Sequence, residues 1–270
     1  KRANNLPWLA DFRDPWTQID WFEQLPLNKR GLAKHHALER TVLQEADQLT
    51  IVSSNWQQQM QAICGREVAL VTNGFAPEDF SNFQHQPDPK FTILHTGSIN
   101  KDRNPSALWK SLGNYTQNNP DFAAKLQIRL IGALDANVRS DLDAAGLLPY
   151  TQMENFVPHA RVIEELAACS LLLLPINNVN NQMGIVPGKV FEYLASEQPI
   201  LAIGPSDGDS ANILRSQAGT HIVGFEDPIE WPTIIAMCAN KPNRKDTLTP
   251  YSRKELSLKI HAILLDLVQK

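Results

Sequence analysis

Apolar residues fall into short runs separated by polar stretches, and from residue 90 onward these runs alternate with segments of helical period. Residues 91–96 (F-T-I-L-H-T), 126–132, 154–157, 170–176 (S-L-L-L-L-P-I), 199–204 and 221–225 read as strands. Runs such as L-L-L-L-P-I are apolar without interruption, the mark of a strand covered on both faces. Between the strands, residues 104–115, 135–145 and 158–169 carry helical spacing. Asn104 is a good cap, Pro105 suits a first helical position, and Gly146 is placed to end the second helix. Strand–helix–strand units of this kind build a parallel sheet with right-handed crossovers.

A shorter series precedes it. Residues 6–12, 49–54 and 68–72 read as strands, and 31–47 and 55–63 as helices. In the first helix Leu32, Leu38, Val42, Leu43 and Ala46 lie on or near one stripe. Residues 74–89, with Pro77, Pro87 and Pro89, read as an interdomain linker. Residues 252–269 predict a long amphipathic helix, with Leu256, Ile260, Ile263, Leu264 and Leu267 on one side. The chain is therefore read as α/β, with one domain over residues 90–250, a smaller unit over 1–73 and a terminal helix over 251–270.

The run from 184 to 204, G-I-V-P-G-K-V-F-E-Y-L-A-S-E-Q-P-I-L-A-I-G, is the most informative. Pro187 and Gly188 open a short helix, since proline suits a first turn and glycine lets a ligand approach the backbone. Val190, Phe191, Leu194 and Ala195 form its apolar face; Lys189, Glu192 and Ser196 fall on the other. In an open α/β sheet such a loop borders the ligand crevice, and a helix start there favours phosphate.

Composition narrows the classes. The 270 residues are 43% hydrophobic and 20% charged, ordinary for a globular protein. A net charge of −4 gives no basic face for nucleic acid. The apolar runs are too short to span a bilayer. Three widely spaced cysteines suit a reducing compartment, with Cys169 read as a buried thiol. The sequence holds no G-x-G-x-x-G after a strand, no Walker lysine loop and no zinc spacing. His35 and His36 read as a surface pair.

Three loops at strand ends carry the candidate chemistry. The first is 97–103, where Gly97 permits close approach, Ser98 offers a hydroxyl and an N–H, and Lys101 and Arg103 supply charge. The second is Val157, Pro158 and His159 at a strand-to-helix junction. The third runs from 177 to Lys189 and Glu192. Convergence of the three would hold one ligand, with Lys189 and Arg103 matching a diphosphate and Glu192 a pair of ribose hydroxyls. Each residue also has a plain reading: Glu192 as a helix-end charge, Lys101 and Arg103 as solvated charges, His159 as a cap, Trp16 as packing. Asp11, Arg13 and Asp14 could form an internal ion-pair cluster.

P-G-K-V-F-E-Y-L-A-S-x-x-P-I-L-A-I-G resembles the donor-binding segment of GT-B glycosyltransferases, specifically retaining glycosyltransferase family 4. H-T-G-S-I-N-K-D-R-N-P, L-L-L-L-P-I, N-G-F-A-P-E-D-F, D-F-R-D-P-W and L-E-R-T-V-L-Q-E-A-D add to the likeness along nearly the whole chain. The resemblance implies two Rossmann-like domains facing across a cleft, the C-terminal one holding a nucleoside diphosphate sugar and the N-terminal one the acceptor. It implies that Glu192 binds the ribose and that Lys189, Ser98 and Arg103 face the phosphates. Val157, Pro158 and His159 would line the base pocket, and the terminal helix would cross back to the first domain. Gly97, Lys101, Pro187, Gly188 and Val190 complete the implied donor site.

The sequence departs from the pattern in two places. The family often carries two glutamates eight positions apart; Glu192 matches the second, but Gly184 stands at the first. Backbone amides of Gly184, Ile185 and Val186 are the implied replacement near the sugar. Fewer residues precede the linker than a full acceptor domain needs, so the first half of that domain is expected to lie outside this sequence. The implied reaction is glycosyl transfer with retention, to a glycan or lipid-linked acceptor of cell-envelope polysaccharide type. Lys189 and Arg103 would stabilise the leaving diphosphate, with Asp14 facing the acceptor and neither metal nor cofactor called for. A nucleotide-sugar-binding fragment without activity and a GT-B sugar-nucleotide epimerase remain as alternatives. The implied location is cytoplasmic, with peripheral contact at the inner face of the membrane left open through the absent N-terminal part.

Overall fold

A computed structural model describes residues 6–81, 84 and 88–269. Pro87 and part of the expected linker therefore lie outside the described residues. The larger sheet has six parallel strands: β4 (Phe91–Thr96), β5 (Leu126–Ile131), β6 (Thr151–Glu154), β7 (Leu171–Pro175), β8 (Ile200–Ile203) and β9 (Thr220–Val223). Their spatial order is β6-β5-β4-β7-β8-β9. The chain starts in the middle, winds to one edge, returns to the middle and winds to the other. This doubly wound order places a topological switch point between β4 and β7. The two strands pair only at Ile93–Leu171 and Leu94–Leu172, so the ladder ends before their carboxyl ends and a crevice opens there.

Both faces of this sheet are covered, which explains the uninterrupted apolar strands. Ile93, Ile128, Leu130, Leu171, Leu173 and Leu201 pack on one side with Trp109 of helix Ser106–Asn118 and Trp231. Leu94, Leu172, Leu174, Ile200 and Ala202 pack on the other with Val190, Phe191 and Leu194. Phe191 and Leu194 are fully buried, as their stripe predicts, and Cys169 is a buried free thiol.

The smaller sheet has three parallel strands, β1 (Leu9–Phe12), β2 (Gln48–Ile51) and β3 (Ala69–Leu70), in that order. Helices Lys29–Glu45 and Ser54–Cys64 connect them, and Leu43, Leu49, Ile51, Trp56 and Met60 form their core. Asn28 caps the first helix through its side chain, accepting from Gly31 N at 2.9 Å. The expected tail helix forms over Arg253–Gln269, but none of its residues is buried and Leu264 is exposed.

Three readings need correction. The strand expected at 154–157 lies at Thr151–Glu154, and Phe156 is 70% exposed in the loop that follows. Helices Asp209–Arg215 and Trp231–Cys238 were not anticipated. The first has few apolar residues and the second is apolar almost throughout, so neither short segment shows a period. Of the expected surface pair, His36 is exposed but His35 is half-buried: Trp16 Nε1 donates to its Nδ1 at 3.2 Å, and Phe22 meets its ring edge-on at 5.5 Å. The Asp11–Arg13 ion pair forms, at 3.4 Å.

Candidate functional site

The crevice at the switch point is built from the end of β4, the end of β7 and the start of helix Lys189–Ala195. Gly97 follows β4 with φ +103°, a conformation glycine adopts without the cost other residues meet. A Cβ there would lie 2.5 Å from Lys189 Nζ. Its N–H is taken by the Ile131 carbonyl at 2.7 Å, so what Gly97 contributes is space.

Lys189 fills that space. Its side chain turns inward instead of standing on an open face, and its ammonium donates to the Thr96 carbonyl and lies 3.5 Å from His95 Nε2. His95 is fully buried, with Nδ1 2.9 Å from the Leu173 carbonyl. That contact makes Nδ1 the protonated nitrogen and leaves Nε2 to accept. The imidazole thus bridges β4 and β7 where their ladder has ended. Burial, then the neighbouring Lys189 ammonium, hold the His95 pKa well below its usual value. Lys189 is depressed to about 7 by burial and by Arg103, with Glu192 pulling the other way.

Arg103 closes the crevice from the loop after β4. Its Nε donates to Asn177 Oδ1 at 2.7 Å and its Nη1 to the Ser98 carbonyl at 3.0 Å. Burial lowers its pKa, opposed by Asp20 and Tyr193. Asn177 Nδ2 in turn donates to Asp20 Oδ2 at 3.3 Å, so a carboxylate from the smaller unit reaches over the guanidinium. Asp14 belongs to the same loop as Asp20; burial and then the Asp20 carboxylate raise its pKa, against Arg13. Tyr193, fully buried below, accepts from Thr96 N at 2.9 Å and fixes the end of β4.

Glu192 is half-buried and opens into an adjoining cleft of about 480 Å³ with Arg13, Asn73, Gly188, Arg253 and Ser257. Gly188 faces open space. Ser196, expected on the same face, is buried instead, its hydroxyl donating to Tyr193 O at 2.8 Å. Lys101 and Arg103 also line a smaller hollow of about 230 Å³ with Asn178 and Glu226.

The remaining predicted residues have other surroundings. His159 Nε2 lies 3.0 Å from Asp79 Oδ2, tying the helix His159–Ala168 to the turn Pro77–Phe80. Pro158 precedes that helix, exposed, and Val157 packs on the core. Val190 is core. Val186 is buried, and its carbonyl receives Asn73 Nδ2 at 3.4 Å. Pro187 caps the helix start, its carbonyl accepting from Val190 N at 3.0 Å. The amides of Gly184 and Ile185 donate within their own turn, to Asn181 and Gln182, and are already engaged. A Cβ on Gly184 would lie 2.2 Å from Trp56 Cδ1 and Nε1, so the indole occupies the room a side chain would need.

Sequence reasoning missed His95, Asn177, Asp20 and Trp56. A histidine inside a strand otherwise free of charged or titratable side chains was the one legible signal among them. Among the described residues, no group of three or more His, Cys, Asp or Glu is placed to hold a metal, and no helix is long and apolar enough to cross a membrane.

No family model matches the sequence, and no curated protein matches it. Solved structures do. Sucrose-phosphate synthase from Thermosynechococcus elongatus superposes with a TM-score of 0.67 at 12% identity, over 99% of this chain and 70% of that one. WaaG, a glycosyltransferase involved in lipopolysaccharide biosynthesis, gives 0.65 at 12% identity, over 95% and 76%. A UDP-forming trehalose-phosphate synthase from Burkholderia xenovorans gives 0.64 at 12% identity, over 98% and 69%. The fold is GT-B. In this GT-B chain the crevice around Lys189 and the cleft beside Glu192 both lie where the two sheets' units meet.

Proposed function

We propose that the chain is a glycosyltransferase that takes a nucleoside diphosphate sugar as donor and transfers the sugar to an acceptor hydroxyl with retention. The observation that carries this reading is the Lys189 ammonium, sunk beneath Gly97 at the switch point with its pKa drawn down to about 7. A buried cation next to Arg103 is costly by itself and becomes favourable when an anion arrives. A diphosphate supplies that anion. Charge grows on its oxygens as the glycosidic bond breaks, and interactions that strengthen with that charge are the ones that accelerate transfer. Glu192, three residues on in the adjoining cleft, accepts hydrogen bonds from the ribose.

The likeness to nucleotide-sugar-using GT-B structures supports the substrate class, and the family 4 motif supports retention. With Gly184 in place of a carboxylate, leaving-group assistance on the face of attack is favoured over a covalent intermediate. Asp14, its pKa raised by burial and by Asp20, is assigned to the acceptor on the family resemblance alone. The acceptor class, a glycan or lipid-linked precursor of the cell envelope, rests on the resemblance, as does a cytoplasmic site of action at the membrane's inner face.

The test is a thermal-shift panel of nucleoside diphosphates and nucleotide sugars, followed by an acceptor-dependent assay for released nucleoside diphosphate. Specific binding to the native state raises the midpoint, by about 2.7 kcal/mol of stability at one hundred times Kd. NMR of the product gives the anomeric configuration. A chain that shows no shift with any member is not a donor-binding enzyme. Binding with no turnover selects the inactive fragment, and donor conversion without acceptor selects the epimerase.

A further inference from the structure

The segment L-E-R-T-V-L-Q-E-A-D carries a glutamate on the inward stripe of helix Lys29–Glu45, four residues before the buried Leu43. Glu39 is 4% exposed, and among the described residues no cation pairs with it. A buried carboxylate without a cation is costly unless hydrogen bonds answer it. Three donors do, all from two consecutive residues of the loop after β1. Thr17 N donates to Oε1 at 3.2 Å, Thr17 Oγ1 to Oε2 at 2.6 Å, and Gln18 Nε2 to Oε2 at 3.4 Å. Gln18 Nε2 also donates to the Thr17 hydroxyl at 2.6 Å.

These bonds replace a backbone ladder. Among the described residues, no amide from Asp14 to Asp20 donates to a backbone carbonyl. One turn earlier on the same helix face, His35 Nδ1 accepts from Trp16 Nε1 at 3.2 Å. The helix thus grips Trp16, Thr17 and Gln18 in succession. The far side of the loop reaches the larger unit: the Gln18 carbonyl accepts from Asn181 Nδ2 at 3.1 Å, and Asp20 Oδ2 from Asn177 Nδ2 at 3.3 Å. The other end of the Asn177 amide, Oδ1, accepts from Arg103 Nε at 2.7 Å. A planar amide held at one end by Asp20 has its oxygen aimed at the other, so the path from Glu39 to the guanidinium is unbroken.

We propose that Glu39 is a positioning residue for Arg103: it fixes the 14–20 loop, and through Asp20 and Asn177 that loop sets the guanidinium that meets a diphosphate. This rests on the donor reading above. It adds that the phosphate grip of the larger unit depends on a buried carboxylate in the smaller one, a residue that touches neither Arg103 nor the donor.

The experiment is a double-mutant cycle of Glu39→Gln and Arg103→Met, read as Kd for UDP and for GDP by calorimetry on protein that urea melts show to be folded. Glutamine keeps the shape of Glu39 and turns one acceptor into a donor. Glu39→Gln should weaken binding about three- to tenfold when Arg103 is present and less than about twofold in Arg103→Met, because residues acting through one contact are not additive. Thr17→Val removes the hydroxyl donor from the loop side, leaves the helix intact and should give the same pattern, should the glutamine variant disturb folding. A glutamate that only stabilises the fold would lower the urea midpoint and leave Kd of the folded protein unchanged. That result, or equal weakening in both backgrounds, overturns the proposal and leaves the donor site standing. If neither UDP nor GDP binds wild type, the donor reading fails and this inference falls with it.

Discussion

Nucleotide binding should draw a proton onto Lys189. The free ammonium has a pKa of about 7, against 10.5 for an ordinary lysine, with burial as the main cause and Arg103 the second. At pH 8, about one tenth of such a group carries its proton. A diphosphate placed against it adds negative charge within hydrogen-bond reach and drives the pKa back toward its ordinary value. Binding at pH 8 should therefore take up close to 0.9 proton per site. His95, buried and held neutral far below its usual range, contributes nothing at that pH. Calorimetry with UDP in buffers of different ionisation enthalpy measures the uptake directly from the slope of observed enthalpy. In Lys189→Met the slope should fall to near zero, and affinity should drop about ten- to a hundredfold, the loss of one charged hydrogen bond of roughly 1.5–3 kcal/mol. Wild-type affinity should weaken by nearly tenfold per pH unit above 7, since the bound form needs the proton the free form has lost. Intact UDP binding with zero proton uptake would refute the assignment, and so would a slope that survives in Lys189→Met.

The same depressed pKa predicts a pH-dependent stability. The folded value lies below the unfolded one, so the penalty for burying the ammonium is full below about pH 7 and disappears as pH rises from 7 toward 10.5. Urea melts of wild type and Lys189→Met should show wild type gaining on the variant between pH 6.5 and 9.5, by about 1–2 kcal/mol after allowance for solvent access and relaxation; a constant gap would count against it. Gly97→Ala combines a left-handed backbone, costing about 1–2 kcal/mol, with a methyl 2.5 Å from Lys189 Nζ. It should lower Tm and abolish the UDP-induced shift, and a variant that binds UDP normally would show that the close approach is immaterial. Arg244 is 1% exposed and donates to the carbonyls of Leu194, Gln198, Ala218 and Gly219. Arg244→Met should destabilise by about 3–4 kcal/mol, at roughly 1 kcal/mol for each carbonyl left unpaired, while UDP affinity in the folded fraction stays unchanged.

How far the sequence carries the fold depends on the distance over which its signals act. Strand β4 was legible to the residue, because F-T-I-L-H-T is bounded by a lysine and a glycine. The helix Lys189–Ala195 followed from Pro187 and its apolar stripe. β6 was placed three residues late because V-P was read as the strand end, when it is the loop into the next helix. Helix Asp209–Arg215 escaped notice since only Ala211 and Leu214 of its apolar residues are buried, too few to set a period. For the site, residue types were readable and orientations were not. Lys189 sits on the polar side of its helix by spacing, yet the space beside Gly97 draws its chain inward. Nothing local to residue 184 announces that an indole 128 positions earlier fills the volume of its missing side chain.

The crevice also shows why these cations tolerate each other. Lys189 and Arg103 are stacked with the neutral His95 under the ends of β4 and β7, and each of the two cations depresses the pKa of a neighbour. Left alone, that arrangement would be among the costliest in the chain. Two carboxylates answer it, Glu192 from the same helix and Asp20 from the smaller unit through Asn177. Neither cancels it, since Lys189 still titrates near neutrality. A site whose positive charge is only partly compensated by its own protein, and whose compensation comes in part across the seam, is poised for an incoming anion. Asp20 adds a link across the seam: Asn177 accepts from Arg103 and donates to Asp20, so on the proposed donor reading a diphosphate that engages Arg103 would compete for the residue that holds the smaller unit's carboxylate.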